Sequence, residues 1–335
     1  MDLLILGGTR HMGRSIIEAA ARRGDTVTIV NRGLSGRPPA SVDAREADRT
    51  RPGALADALG DDRWDAVIDT WAGAPWVARD AARLLRDRTG HYGYVSSRSV
   101  YRWPPAPGFD ESAPVVDGDQ DGTDEKFYPA AKRGAEIAIS RVFGERALLA
   151  RAGLILGPYE DVGRLPWWLR RLSRGGPALA PGPADRPLQY LDGRDLAEWM
   201  LAAAERGLGG IFNTVSPPGH TTMGRLLEEV RAATGSVARL VWTDPAVIEA
   251  AGIAPWTELP IWTPPTGEMA GLHAGDVTAA AGAGLTCRSV RETVHDTWDW
   301  LRVEGEPEHR ADRPPVGLDP ERERAVLATV EGDGG

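Results

Sequence analysis

The stretch from Met1 to Arg32 constrains this chain more than any other. It reads as a buried strand at Leu3-Leu4-Ile5-Leu6, a glycine turn Gly7-Gly8-Thr9-Arg10-His11-Met12-Gly13, an amphipathic helix, and a second strand at Thr26-Val27-Thr28-Ile29-Val30. A strand, a tight turn and a helix N-terminus form a ready site for a pyrophosphate, because backbone N–H groups and the helix dipole both favour an anion there. Glycine is required where the chain turns sharply and where the helix must lie close to the strand. Such a motif alone is a weak signal. Here it follows an apolar run directly and leads into Ile16-Ile17 and Ala19-Ala20-Ala21 at helical spacing, the context it needs.

The same style continues downstream. A short strand is expected near Val42 to Glu46, then Asp48-Arg49, then a helix from about Pro52. Ala66-Val67-Ile68-Asp69 reads as a strand ending at Thr70-Trp71-Ala72, and a helix with Val77, Ala81 and Leu84-Leu85 leads to a strand around His91 to Val95. A helix from about Pro129 to Val142 and a strand at Ala147 to Ala152 follow. Strands alternating with helices predict an α/β fold, a Rossmann-type doubly wound parallel sheet covered on both faces.

From Gly157 the texture changes, with more prolines, tryptophans and glycines. Leu165 to Leu172 reads as a helix, and a strand near Leu188 to Leu191 and a helix from Asp192 resume the earlier style. The expected organisation is a dinucleotide-binding unit of residues 1–156 plus 186–215. A smaller mixed α/β C-terminal substrate unit takes 157–185 plus 216–302, and a charged tail with a short helix takes 303–335. The irregular segment Arg102 to Phe127, with the acidic run Asp117 to Glu125, is long for a loop in a compact fold and suggests a functional lid or a disordered insert.

Composition narrows the function. The formal net charge of −9 offers no basic field for nucleic acid or an anionic membrane, and no apolar run reaches the length of a membrane span. Cys287 is the only cysteine, so no intramolecular disulfide forms. A cytoplasmic protein is expected, with a small-molecule substrate, no metal, no nucleic acid and no membrane as partner. Lys126 and Lys132 are the only lysines among 39 basic residues. A lysine retained against that bias suggests chemistry arginine cannot supply.

Tyr128 and Lys132 stand four apart at the start of a helix and so share one face. A phenol is a poor acid/base near neutral pH, and a neighbouring ammonium favours its phenolate. Ser96-Ser97 ends the fifth strand, at the carboxyl edge where open α/β sheets bind ligands, and a serine there can hydrogen-bond a carbonyl or hydroxyl. Pro129 directly after the tyrosine places Tyr128 at the helix cap.

With Val95-Ser96-Ser97-Arg98-Ser99-Val100-Tyr101, Arg151 to Pro158 and Asp195-Leu196-Ala197, these motifs resemble the extended short-chain dehydrogenases/reductases of the NAD-dependent epimerase/dehydratase superfamily over about residues 1 to 302. They resemble above all an atypical branch whose glycine turn reads Gly-Gly-Thr-Arg, which includes chloroplast stem-loop RNA-binding proteins. The resemblance implies Tyr128 as general acid/base, Ser97 orienting the reacting oxygen, and Lys132 holding the nicotinamide ribose. It implies Thr70, Trp71 and Ala72 along the cofactor, Asp48 and Arg49 at the adenine, and Ser96 and Leu154 among the cofactor-facing residues. Helix-mediated homodimers are common in that superfamily, so a homodimer is the expectation by analogy.

Departures from the pattern matter as much. Arg10 replaces a usual glycine, and Asn31-Arg32 replaces the acid that binds the NAD ribose, which favours NADP(H) with NAD(H) as the alternative. Leu154 stands where nucleotide-sugar enzymes present asparagine, and Leu188 where they present arginine, with Arg186 two residues earlier as a substitute. Ser99, Tyr101, Trp167, Trp168 and Trp256 are candidates to line the substrate pocket. The leading expectation is an NADP(H)-dependent oxidoreductase acting on a small carbonyl or imine. The alternatives are an epimerase or dehydratase acting on a sugar or nucleotide sugar, and a non-catalytic nucleotide-sensing or RNA-binding protein.

Overall fold

The structure is a computed structural model that describes residues 1–34, 36, 38–305 and 315–332. Two positions of the loop after the second strand, 35 and 37, and tail positions 306–314 and 333–335 lie outside the described residues.

Strands β1 (Asp2–Leu6), β2 (Thr26–Asn31), β3 (Asp43–Glu46), β4 (Trp64–Asp69), β5 (Thr89–Ser97) and β6 (Ala147–Ala152) follow the expected alternation. Helices α1 (His11–Arg23), α2 (Ala54–Leu59), α3 (Pro75–Leu85) and α4 (Tyr128–Phe143) lie between them. Then come β7 (Leu154–Leu156), α5 (Arg164–Ser173), β8 (Pro177–Pro181), β9 (Pro187–Leu188), β10 (Tyr190–Asp192), α6 (Gly193–Glu205) and β11 (Gly210–Thr214). The remaining elements used below are β12 (Thr221–Thr222), α7 (Met223–Thr234), β13 (Arg239–Thr243), α8 (Pro245–Ala250), α9 (Thr278–Gly282), α10 (Val290–Glu304) and α11 (Pro320–Gly332).

Seven strands form one parallel sheet in the order β11-β6-β5-β4-β1-β2-β3. Leu6 lies beside both Val30 and Asp69, so β1, β2 and β4 end level at the carboxyl edge. Parallel strands connected by crossover helices are buried on both faces, which is why β1 reads as an unbroken apolar run. Leu3 and Ile5 pack with Ile16, Ala20, Leu196 and Met200 of α1 and α6 on one face. Leu4 and Leu6 pack with Leu55, Ala78, Ala82 and Ile139 of α2, α3 and α4 on the other.

A further apolar cluster lies beyond the sheet. It joins Leu154, Leu169, Leu188, Leu227, Ile248, Trp262 and Val294, and it includes Leu318, Val326 and Leu327 around α11. The expected strand over 188–191 is split into β9 and β10, with Gln189 between them. The Gln189 side chain is buried and bonded to the Ser216 and Gly275 carbonyls and the Gly275 amide. In the tail, Asp319 accepts from the amides of Glu321 and Arg322 at the start of α11, and Glu323 is buried against Arg171 and the Leu179 amide.

The acidic run packs along α3 and α4, and its end, Glu125, lies beside Gly73 in the loop after β4. Gly118 and Asp119 pack on Gly134 of α4, where a Cβ would come within 2.3 Å of the Asp119 carbonyl, and Asp121 pairs with Arg79 of α3. Glycine at 134 lets this segment lie tight against the α3–α4 pair.

Candidate active site

Gly7 and Gly8 turn the chain from β1 into α1 with φ of 127° and 117°, conformations that L side chains rarely adopt. A Cβ on Gly7 would lie 2.2 Å from Thr70 Oγ1, and one on Gly13 would lie 2.3 Å from the Gly8 Cα. Glycine is therefore fixed by space as well as by dihedral. No side chain caps α1, and its own first turn carries no acid. The cradle that a Cβ would fill, at a helix N-terminus on the carboxyl edge, fits a dinucleotide diphosphate. Met12 is partly exposed on the first turn, whereas His11 is buried with Nε2 against Gly193 of α6, so His11 offers only its backbone to this site.

Beyond β2 a cleft of about 370 Å³ is lined by Arg32, Glu46, Asp48 and Arg51, among others. Asn31 Oδ1 accepts from the Gly33 amide, so this side chain is spent on its own turn. Hydrogen bonds from Thr50, with Arg32 and Arg51 nearby, hold the Asp48 carboxyl below its ordinary range. The end of β2 carries no acid, yet Glu46 and Asp48 from β3 and the turn after it bring two carboxylates to the same cleft. Arg51 was not singled out from sequence; only its three-residue distance from Asp48 hinted at it.

At the centre of the edge, Tyr128 is the first residue of α4, with Pro129 in the first turn as its position required. Lys132 is buried and donates from Nζ to the carbonyl oxygens of Trp71 at 2.6 Å and Val95 at 2.7 Å. Its Nζ lies 5.9 Å from the Tyr128 ring centroid and 4.5 Å from that of Tyr94. Tyr94 also donates to the Trp71 carbonyl, at 3.0 Å, so two donors fix that oxygen. Ser97 ends β5 partly exposed, and its Oγ accepts from the Ser99 amide at 3.2 Å. The ends of β4 and β5 and the start of α4 thus bring Ser97, Tyr128 and Lys132 to one side of the edge, next to the loop Thr70-Trp71-Ala72. Thr70 Oγ1 donates to the Leu6 carbonyl at 3.1 Å, which ties that loop to β1.

Several expected site residues are committed elsewhere. Arg49 does not flank an adenine. It is buried, stacks over Trp71 at 5.1 Å, and makes two 2.8 Å bonds to the fully buried Asp69. Asp69 also accepts from Tyr92 and the Trp71 amide. Burial pushes the Asp69 carboxyl up, but Arg49 and these donors outweigh it and hold the group below its ordinary range. One signal for this pair lay in the sequence, an acid closing the apolar run Ala66-Val67-Ile68.

Ser96 points to the opposite side of β5 from Ser97, as strand alternation demands, and its hydroxyl donates to Glu136 at 2.7 Å. Arg151 grips the same fully buried carboxylate at 2.9 and 3.0 Å. Tyr101 is fully buried and donates to Asn213, so it cannot meet a substrate. Trp168 is likewise buried, with Nε1 on the Pro260 carbonyl. Arg186 does not substitute for a diphosphate-binding arginine, because it donates to the backbone carbonyls of Thr263, Pro264 and Ala270. Leu154 and Leu188 are buried in the apolar cluster. Ser99 Oγ is buried beside Ser97.

Among the described residues no group of three or more His, Cys, Asp or Glu could hold a metal ion, and no helix is long and apolar enough to cross a membrane.

The sequence model of the NAD-dependent epimerase/dehydratase family matches residues 3–214, which hold the glycine turn, Ser97, Tyr128 and Lys132. The chain belongs to that family.

Solved structures agree on the fold. WbmH of Bordetella bronchiseptica, solved with NAD+, superposes with a TM-score of 0.67 at 17% identity, covering 91% of this chain and 99% of that one. The Thermotoga maritima UDP-glucose 4-epimerase, solved with UDP-glucose, gives 0.65 at 17% identity over 91% and 100%. A UDP-N-acetylglucosamine 4-epimerase from Bacillus cereus gives 0.65 at 16% identity over 90% and 99%. No curated protein matches the chain. It is an enzyme of the NAD-dependent epimerase/dehydratase family on a Rossmann-like fold.

Proposed function

We propose that this family member is an oxidoreductase that binds NADP(H) in preference to NAD(H) and interconverts a small carbonyl (or imine) with its reduced form. The observation that carries the reading is Lys132, buried and aimed by the Trp71 and Val95 carbonyls so that its ammonium lies beside the Tyr128 ring. The Gly7–Gly13 turn would hold the diphosphate of a nicotinamide dinucleotide, which would supply or accept the hydride. Tyr128 gives a proton to the reacting oxygen or takes it back, and Lys132 stabilises the negative charge the phenol oxygen gains when it does so. Ser97, the last residue of β5, orients the same oxygen. Arg32 and Arg51 in the cleft beyond β2 support a 2′-phosphate; Glu46 and Asp48 in that cleft oppose it.

The substrate class follows from what is missing. With Arg186 Nε and Nη2 bonded to Thr263, Pro264 and Ala270, and Leu188 buried, the two expected positions offer a substrate diphosphate at most one edge of one guanidinium. That supports a substrate without one. The family match and the 4-epimerase neighbours favour a second reading, in which the cofactor is used and regenerated within one turnover of a sugar or nucleotide sugar. Mass spectrometry of the nucleotide released from freshly purified protein separates the two. Stoichiometric bound cofactor supports the second reading, and an empty site that binds NADPH reversibly supports the first.

A further inference from the structure

We propose that residues 157–161 form a strap along α1 that sets how long a bound dinucleotide stays in its site; this rests on the dinucleotide reading above. Arg10, Arg14 and Glu18 stand at i, i+4 and i+8 and so form one stripe up the start of α1. The strap meets all three. Asp161 pairs with Arg10 at 3.7 Å, the Tyr159 ring lies 5.2 Å from the Arg14 guanidinium, and the Tyr159 hydroxyl donates to Glu18.

Both ends of the strap are anchored. At its start a Cβ on Gly157 would lie 3.0 Å from Asp192, and Gly157 has a φ of 119°. At its end the buried Glu160 carboxylate accepts from the amides of Arg164 at 2.7 Å and Leu165 at 3.0 Å, holding the first turn of α5. Between them Tyr159 is held at a φ of 70°, unusual for a bulky residue, with its ring edge-on to Trp300 of α10 at 5.6 Å. A strained residue gripped from three sides is a fixed point of the strap.

Arg14 reaches the opposite loop as well. A Cβ on Gly36, in the loop after β2, would lie 3.1 Å from its Nη2, so Gly36 rests against the same guanidinium. Two segments far apart in sequence therefore meet on one side chain, one turn from the diphosphate cradle. Arg10 immediately precedes α1 and belongs to the cradle itself. Its guanidinium carries five N–H donors in a planar fork, so one edge can hold Asp161 while another holds an anionic oxygen. A diphosphate at the turn and the strap then share one cation, and release of the nucleotide requires the Arg10–Asp161 and Arg14–Tyr159 contacts to open.

The test is the dissociation rate of NADPH, read by stopped-flow fluorescence when excess unlabelled nucleotide displaces it. Wild type is compared with Asp161→Asn and with Asp161→Asn/Arg14→Met. Exposed ion pairs and cation–π contacts are individually weak, so Asp161→Asn should speed release about threefold and the double variant about tenfold. Raising the salt should speed release more in wild type than in Asp161→Asn. Should the double variant fail to fold, the conservative Asp161→Asn carries the test alone. Wild type that binds neither NADPH nor NADH overturns the dinucleotide reading and the strap with it. Normal binding with release unchanged within twofold in the folded variants overturns the strap alone.

Discussion

Arg49 and Asp69 meet in the core through two 2.8 Å bonds, directly beneath the loop that presents Trp71. Asp69 holds the Trp71 amide, and the Trp71 carbonyl in turn receives Tyr94 and Lys132. A buried ion pair thus sits two links away from Lys132, which lies beside the candidate acid/base Tyr128. Breaking a buried pair leaves an uncompensated charge and typically costs about 3–5 kcal/mol. Asp69→Ala should therefore lose about that much in urea unfolding, whereas Arg49→Met/Asp69→Asn, which removes both charges, should lose clearly less than the sum of its single changes. Additive losses would show that the pair is not energetically coupled.

Tyr128→Phe removes one oxygen from a partly exposed ring and should leave the fold and nucleotide affinity intact. Loss of a general acid costs about 10²–10⁴-fold in rate. Turnover should fall by that factor with the dissociation constant for cofactor unchanged. Unaltered turnover in a folded variant rejects Tyr128 as the proton donor.

On the proposed reading, cofactor choice falls to the cleft of Arg32, Glu46, Asp48 and Arg51. If the two guanidiniums hold a 2′-phosphate, Arg32→Ala and Arg51→Ala should each weaken NADPH binding about tenfold and leave NADH binding nearly unchanged. If Glu46 and Asp48 govern instead, wild type will bind NADH more tightly than NADPH in the same titration.

The fold was legible because its signals are local. The apolar run at Leu3 to Leu6, the glycines at 7, 8 and 13, and the period of α1 and α4 report backbone geometry that neighbours in sequence impose. Pro129 by the same logic put Tyr128 at the helix cap, one position out: Phe127 is the cap and Tyr128 the first residue of α4. What could not be read were long-range choices among equivalent polar groups. Arg49 is adjacent to Asp48, yet one faces a cleft and the other turns inward to an acid 20 residues away. Ser96 and Ser97 differ only in which face of β5 they take. Arg186 carried the right charge but lies just before β9 rather than in it, and its fate was set by carbonyls some 77 to 84 residues downstream. The strap was illegible for the same reason, since Tyr159 and Glu18 are 141 residues apart.

Glu160 gives the molecule a stability that depends on pH. Burial pushes its carboxyl from 4.5 up to about 7, against the pull of Arg164 and the two amides it receives. The folded state therefore holds a proton between those values that the unfolded chain has released. Its contribution is fully present below the unfolded value and is lost as pH rises through 7. At 1.36 kcal/mol per unit, the loss across that window is about 3 kcal/mol. Glu160→Gln keeps the shape and an acceptor oxygen but cannot ionise. The stability difference between Glu160→Gln and wild type should thus shift in favour of the variant from pH 4.5 to pH 8, by about that amount. Urea unfolding of both proteins at intervals across this range measures it directly, and parallel curves would mean that Glu160 keeps an ordinary carboxyl in the fold.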